Sequence, residues 1–199
     1  MTFPSSTPAP PTRRRFPGWL IAVIAAGSVF ALILCAIVVI GVLTLLGQKV
    51  TPTMITSDDN TSQVTVPGTW QKLSNLNDVA DLQAGYPRQE QYLIVITESK
   101  ADMVDMDLEA YTRIILQKLT KNVQSPEVSA PRNLIINGRS AIQYEVRGIV
   151  KNLKVAYWLT SVDGAKHFHQ VLAWTLVSKV EENRPILQGV VESFHEVGQ

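Results

Sequence analysis

An uncharged apolar stretch near the N-terminus limits what this chain can be. Residues 19–46 are 28 consecutive positions without Asp, Glu, Lys or Arg. About 20 apolar helical residues, at ~1.5 Å each, cross the hydrocarbon core of a bilayer, so this stretch is long enough to span one even when tilted. We therefore predict a transmembrane helix over residues 19–46, with the lipid bilayer as its partner, and we do not expect a wholly soluble protein.

The flanking charges predict the orientation of this helix. Arg13, Arg14 and Arg15 precede the apolar stretch, whereas Gln48 and Lys49 follow it. Because cytoplasmic flanks are enriched in Lys and Arg, we expect a cytoplasmic N-terminus and a C-terminal part outside, in the periplasm or in a lumen. The membrane is then a cell or thylakoid membrane. The stretch is about twice as long as the apolar region of a cleaved signal, which favours an uncleaved signal anchor.

Composition divides the rest of the chain. Proline-rich residues 1–18 predict a disordered basic tail, residues 47–62 a polar linker, and residues 63–196 one folded extracytoplasmic domain.

Beyond residue 46 there are 15 basic and 17 acidic residues without a basic cluster, so nucleic acid is not an expected partner. The single cysteine, Cys35, lies in the apolar stretch, which excludes an intramolecular disulfide and a cysteine metal site.

Hydrophobic spacing predicts the first elements of the domain. Residues 63–66 alternate as a short strand before a Pro-Gly turn, and residues 92–97 are a β-branched run typical of a buried strand. Apolar residues recur at helical spacing from Leu108 to Leu119, behind acidic residues that include Asp107. Because acidic side chains are favourable at a helix N-terminus, we interpret this acidic run as a helix start and not as a calcium loop.

The C-terminal half predicts an antiparallel meander. Asn137-Gly138 lies between two apolar runs and indicates a hairpin, because both central positions of a type I′ turn need positive φ. The predicted strands after this turn are residues 141–146, 155–160 and 167–176. Residues 141–146 alternate between apolar and polar side chains, which predicts one apolar and one polar sheet face.

The chain is expected to close with a second helix. Ser178 and Glu181 have the spacing of a capping box, but Pro185 is unfavourable in a helix interior, so we predict that the helix restarts near Asn183. This order of elements gives an α+β fold with an antiparallel sheet flanked by helices, behind one N-terminal transmembrane helix.

Four short motifs resemble PsbP-like domains. They are Val66-Pro67-Gly68-Thr69-Trp70, Leu108-Glu109-Ala110-Tyr111, Ile136-Asn137-Gly138 with Ala141 and Tyr144, and Glu192-Ser193-Phe194. The resemblance covers most of residues 63–196 and implies an α/β/α sandwich, a fold shared by a photosystem II extrinsic subunit, DcrB-type bacterial envelope proteins and a Ran-binding import factor. It implies a fold used for binding and supplies no catalytic residue. The predicted anchor is more similar to the bacterial envelope relatives.

Two histidines are the candidate metal ligands. His167 and His169 are two apart on a predicted strand, so they share a face and could supply two imidazoles to one metal ion. A site needs further ligands, and spacing does not show whether His195 lies near them. The alternative is a polar strand end beside the Asp163-Gly164 turn.

Other patterns do not point to catalysis. The sequence contains none of the nucleophile motifs G-x-S-x-G and S-x-x-K with its partners, the metalloprotease motif H-E-x-x-H or a phosphate-binding glycine loop, so we expect no enzyme activity and no cofactor. Trp70, Trp158 and Trp174 are expected in the core. With Tyr144 and Tyr157, the sheet tryptophans would become binding anchors if one sheet face were uncovered.

These observations favour a single-pass, membrane-tethered domain that binds another envelope or membrane-complex protein. Tethering raises the effective concentration of such a domain for partners at the same surface. Two alternatives remain open: a metal-handling or hydrolytic envelope protein that uses His167 and His169, and an assembly factor for a photosynthetic complex.

Overall fold

The computed structural model describes residues 51–103 and 105–197, which form the expected α+β fold. The elements in chain order are β1 (Thr53–Thr56), β2 (Ser62–Val66), β3 (Gln71–Lys72), β4 (Leu82–Tyr86), β5 (Gln91–Ser99), α1 (Leu108–Lys121), β6 (Gln124–Val128), β7 (Arg132–Ile136), β8 (Arg139–Val150), β9 (Leu153–Asp163), β10 (His167–Leu176), α2 (Val180–Glu192) and β11 (His195–Glu196). Within these two ranges, neither helix is both long and apolar enough to cross a bilayer. The predicted tail (1–18) and transmembrane helix (19–46) lie outside the described residues.

The strands form two antiparallel sheets. The larger has the order β3-β4-β5-β10-β9-β8-β6, and β7 pairs with the first part of β8; the smaller has the order β1-β2-β11. The hairpins β7-β8, β8-β9 and β9-β10 confirm the predicted meander.

The two helices cover opposite faces of the large sheet. Adjacent strand residues point to opposite faces, and Trp158 and Leu159 on β9 belong to different core clusters. Trp158 packs in the cluster that contains Leu187 of α2, whereas Leu159 packs with Tyr111 of α1. The domain is therefore an α/β/α sandwich.

Helix α1 agrees with its sequence pattern. It begins at Leu108, and the Asp107 carboxylate accepts a hydrogen bond from the Ala110 N–H at 2.7 Å. Such an N-cap satisfies one of the backbone donors that a helix start leaves unpaired. The acidic residue next to the helix is thus a structural cap, as the sequence indicated.

The start of α2 differs from the prediction. The helix begins at Val180, with Lys179 and not Ser178 at the N-cap, and Pro185 lies inside it. Val180 and Asn183 are fully buried, so core contacts hold the first turn even though proline removes one hydrogen bond from the helix. Tertiary packing here outweighs the local cost of proline.

Two further expectations need correction. Strand β1 lies within the predicted linker of residues 47–62, because it pairs with β2 from Thr53 to Thr56. The polar residues in the second arm of the hairpin do not all face solvent. Gln143 is buried, and its side-chain amide donates a hydrogen bond to the Thr160 hydroxyl at 2.9 Å. A sheet covered on both sides buries residues of both parities.

Two glycines, one in the β7-β8 hairpin and one in α2, should respond in opposite directions to replacement by alanine. Gly138 has φ +80° in the β7-β8 turn, whereas Gly189 is helical and has open space where a Cβ would stand. We expect Gly138→Ala to lower the unfolding free energy by about 1 kcal/mol and Gly189→Ala to raise it by about 0.5–1 kcal/mol. Urea unfolding followed by circular dichroism measures both. Equal signs would show that backbone conformation does not decide these positions.

An ion cluster joins α2 to β8. The Glu145 carboxylate accepts hydrogen bonds at 2.7 Å from Arg184 on α2 and from Arg147 on its own strand. Burial raises the pKa of Glu145, but the hydrogen bonds from the two guanidinium groups outweigh burial and hold the pKa below its usual 4.5. The folded state therefore favours the carboxylate.

This arrangement predicts a pH-dependent loss for Glu145→Gln. Because the folded pKa is depressed, the stabilisation is present above pH 4.5 and is lost as the pH falls through the folded value. We expect a loss of about 1–2 kcal/mol at pH 7 that shrinks below about pH 4. Glu182→Gln, which breaks an exposed pair with Lys179, should change stability by less than ~0.5 kcal/mol. A Glu145→Gln loss that is independent of pH would contradict the ionic origin.

Candidate functional site

The two predicted histidine ligands lie side by side on β10. His167 and His169 project from the same side of the strand, with ring centroids 5.9 Å apart. His169 pairs with Thr97 of β5 and with Val162 of β9, so it lies in the middle of the sheet, whereas His167 lies at the strand end. The shared face required by the metal hypothesis is present.

His169 is buried in surroundings that favour the neutral form of its ring. Its side chain is fully buried, its ring lies 5.0 Å from the Phe194 ring, and its Nδ1 is 3.2 Å from the Thr97 hydroxyl. Burial lowers its pKa below 6.5, although the nearby Glu196 carboxylate opposes this shift. The other ring nitrogen, Nε2, faces Oε1 of Glu196 at 3.6 Å, which is longer than a hydrogen bond.

Glu196 on β11 joins the two histidines. Its Oε1 lies 3.3 Å from Nδ1 of His167 and 3.6 Å from Nε2 of His169. Its Oε2 accepts a hydrogen bond from the Ala165 N–H at 2.7 Å and is 3.6 Å from Arg139. The Glu196 side chain is almost buried, and the contacts of its Oε2 orient the carboxylate so that Oε1 faces the histidines. One ligand atom each from His167, His169 and Glu196 lies within 4.8 Å of the other two.

Gly164 lies close against these atoms, where a larger residue would collide with them. A Cβ at this position would lie 2.8 Å from Nε2 of His169 and 2.9 Å from Oε1 of Glu196. The loop is held in place by Lys100, which donates to the Gly164 carbonyl at 2.7 Å and forms an ion pair with Asp163. A side chain at position 164 would therefore fill the space between the candidate ligands.

His195 does not take part in this group. Its Nε2 is 2.8 Å from the Gln63 side-chain oxygen on β2. Neighbouring residues of a strand point to opposite sides, so the pairing of β11 with β2 turns Glu196, and not His195, towards β10. Sequence analysis missed Glu196 because this contact depends on a two-residue strand that has no local signal.

A second feature is a row of aromatic rings on the α1 side of the sheet. The Trp174 ring stacks on Tyr92 at 5.4 Å between centroids and lies 6.2 Å from Tyr157. All three side chains are half-buried, and they lie outside the core cluster against which α1 packs. We call these three residues the aromatic row.

The tryptophans thus divide between the core and the aromatic row. Trp70 and Trp158 are buried, as predicted, whereas Trp174 keeps part of its ring accessible. Leu153 projects from the same side of β9 as Tyr157 and is 55% exposed, which extends the apolar surface towards the strand end. Burial raises the pKa of the Tyr157 phenol above its usual 10.

Comparison of sequences gives no relative. No protein-family model and no curated protein match the chain. Comparison of structures gives several matches.

Cyanobacterial PsbP (CyanoP) from Synechocystis sp. PCC 6803 matches 74% of this chain and 93% of its own, with a TM-score of 0.54 and 11% identity. LpqN of Mycobacterium tuberculosis, described as involved in cell envelope biogenesis, matches 74% of this chain and 91% of its own, with a TM-score of 0.52 and 16% identity. The Saccharomyces cerevisiae Ran-binding protein Mog1p matches 74% of this chain and 96% of its own, with a TM-score of 0.53 and 14% identity.

These identities are too low to transfer a function, but they agree on architecture. Each match covers more than nine-tenths of the other chain. The sandwich of two helices on an antiparallel sheet, predicted from four short motifs, is thereby confirmed: the described part of this chain has the PsbP-like fold.

Proposed function

We propose that this chain is a membrane-tethered binding domain that recognises another envelope or membrane-complex protein through the aromatic row. The observation that carries the proposal is the partial exposure of Trp174 between two tyrosines on the α1 side of the sheet, outside the core cluster that packs with α1. Tryptophan and tyrosine are enriched at the energetic centres of protein interfaces, because their rings bury a large apolar area with little loss of side-chain freedom.

The tether and its orientation follow from sequence. Residues 19–46 supply the membrane span, and the arginines before it favour a cytoplasmic N-terminus, so the folded domain would face the periplasm, a lumen or the cell exterior. Confinement to one surface lets a domain of modest affinity find partners in the same membrane. We assign the chain no catalytic reaction.

Two of the structural neighbours support a binding role in this setting. Mog1p is described as Ran-binding, and LpqN is described as taking part in cell envelope biogenesis. We propose a bacterial envelope setting on this basis and on that of the predicted anchor; the DcrB-type relationship remains a prediction from the sequence motifs.

Crosslinking in native membranes tests the proposal. Full-length protein is compared with a version that ends at residue 50, and the captured proteins are identified by mass spectrometry. We expect a reproducible partner that requires the folded domain. Identical captures by both versions would contradict a role for the domain, and a captured photosystem assembly intermediate would instead support the assembly-factor alternative.

Two single variants localise the contact. Trp174→Ala should weaken capture by roughly 30-fold in affinity, which corresponds to a hot-spot loss of about 2 kcal/mol. Ile135→Ser is the matched control, because Ile135 is an exposed apolar residue (72%) on the edge strand β7. In the sheet, β8, β9 and β10 separate β7 from β5, which carries Tyr92. Equal capture by wild type and Trp174→Ala would exclude the aromatic row as the binding surface.

A further inference from the structure

We propose that His167, His169 and Glu196 form a binding site for one divalent transition metal ion, with zinc as the best match to the ligand set. The inference goes beyond the proposed binding function and does not depend on it. Two imidazoles and one carboxylate are ligands that zinc and neighbouring first-row metals accept.

Two of the three distances between the candidate ligand atoms match those around a tetrahedral ion. Ligand atoms about 2.0–2.1 Å from a tetrahedral zinc lie about 3.4 Å from one another. Oε1 of Glu196 is 3.3 Å from Nδ1 of His167 and 3.6 Å from Nε2 of His169. The ligand atoms of the two histidines lie within 4.8 Å of each other, and the proposal requires the ring of His167, which is 29% exposed at the strand end, to turn towards the ion.

The buried histidine is the strongest argument for a ligand. Nε2 of His169 is buried and lies 3.6 Å from Oε1 of Glu196, beyond hydrogen-bond distance, so an ion bound between these two atoms would satisfy both of them. In the tautomer with the proton on Nδ1, the ring donates a hydrogen bond to the Thr97 hydroxyl, 3.2 Å away. The lone pair of Nε2 is then directed towards Glu196. A hydrogen bond to the second ring nitrogen is the usual support of a metal-binding histidine.

Two neighbouring residues, Gly164 and Ala165, contact the candidate ligands and support their arrangement. The absence of a side chain at Gly164 avoids a collision with the candidate ligands, since a Cβ there would stand 2.8–2.9 Å from both ligand atoms. The Ala165 N–H binds Oε2 of Glu196 at 2.7 Å and so leaves Oε1 turned towards the histidines. Three protein ligands leave a fourth position for water or for a donor group of a partner.

Metal titration of the full-length protein in detergent tests the site. The protein is purified without a histidine tag, stripped with a chelator and titrated with zinc against a chromophoric competitor, and with cobalt as a spectroscopic probe. We expect one zinc per chain and cobalt absorption bands in the visible range. Absence of stoichiometric binding, or cobalt bands typical of hydrated cobalt, would overturn the proposal.

The choice of variants separates ligand loss from misfolding. His167→Ala and Glu196→Gln should each weaken zinc binding by at least about tenfold, since even outer-shell changes cost 10–100-fold. His195→Ala is the matched control, because His195 binds Gln63 and not the cluster, and it should bind zinc like the wild type. Near-ultraviolet circular dichroism checks that each variant folds. An equal loss in all three variants, or in none, would contradict the assignment.

Discussion

Phe194→Ala is expected to lower the unfolding free energy by about 3–5 kcal/mol, the range for removal of a buried phenylalanine. Phe194 is 1% exposed and packs in the core cluster with α2 residues, and its ring also contacts His169 at 5.0 Å between centroids. Its backbone carbonyl accepts a hydrogen bond from the Asn137 side chain at 2.6 Å, which ties the end of α2 to the β7-β8 turn. Urea unfolding followed by tryptophan fluorescence measures the loss.

A smaller replacement provides the comparison for Phe194. Phe194→Leu keeps most of the apolar volume and should cost less than about 1.5 kcal/mol. If Phe194→Ala cost as little as Phe194→Leu, the segment after α2 would not be part of the core, and the position of β11 beside β10 would be in doubt.

Asn183→Ala is expected to cost about 2–4 kcal/mol, because it leaves buried polar groups without partners. Asn183 is fully buried on α2; it accepts from Gln91 at 2.7 Å and donates to the Thr175 hydroxyl and to the Gln89 carbonyl at 2.8 Å each. Gln91 in turn accepts from the Trp70 indole N–H at 2.9 Å. Loss of one side chain therefore affects a network that joins α2, β5 and β10.

The same substitution at an exposed position controls for the loss of an amide. Asn133→Ala on the edge strand β7 should change stability by less than ~0.5 kcal/mol, the range for exposed positions. Thermal unfolding of both variants ranks them. Equal small losses would show that the buried network is hydrated and makes no net contribution.

Local signals in the sequence were sufficient for much of the fold. The capped helix α1 and the Asn137-Gly138 turn, with φ +47° and +80°, depend on interactions within a few residues. The predicted bounds 167–176 coincide with β10, which the Asp163-Gly164 turn pair precedes. Such elements are encoded where they form.

Other elements depend on contacts that no local pattern contains. Strand β4 is buried along most of its length and reads neither as an alternating strand nor as a helix, and β6 is an exposed edge strand interrupted by Pro126 at a register shift. The candidate metal site shows the same division. The two histidines on one strand could be found from spacing, whereas Glu196 reaches them through the pairing of β11 with β2.

Site-specific photocrosslinking from the aromatic row tests the central claim most directly. A photoreactive phenylalanine replaces Trp174 in the full-length protein in native membranes, and the same residue replaces Ile135 in the matched control. We expect one reproducible protein adduct from position 174 and none from position 135. Adducts of equal yield from both positions, or no adduct from position 174 while the protein is correctly inserted, would contradict recognition of a partner through this surface.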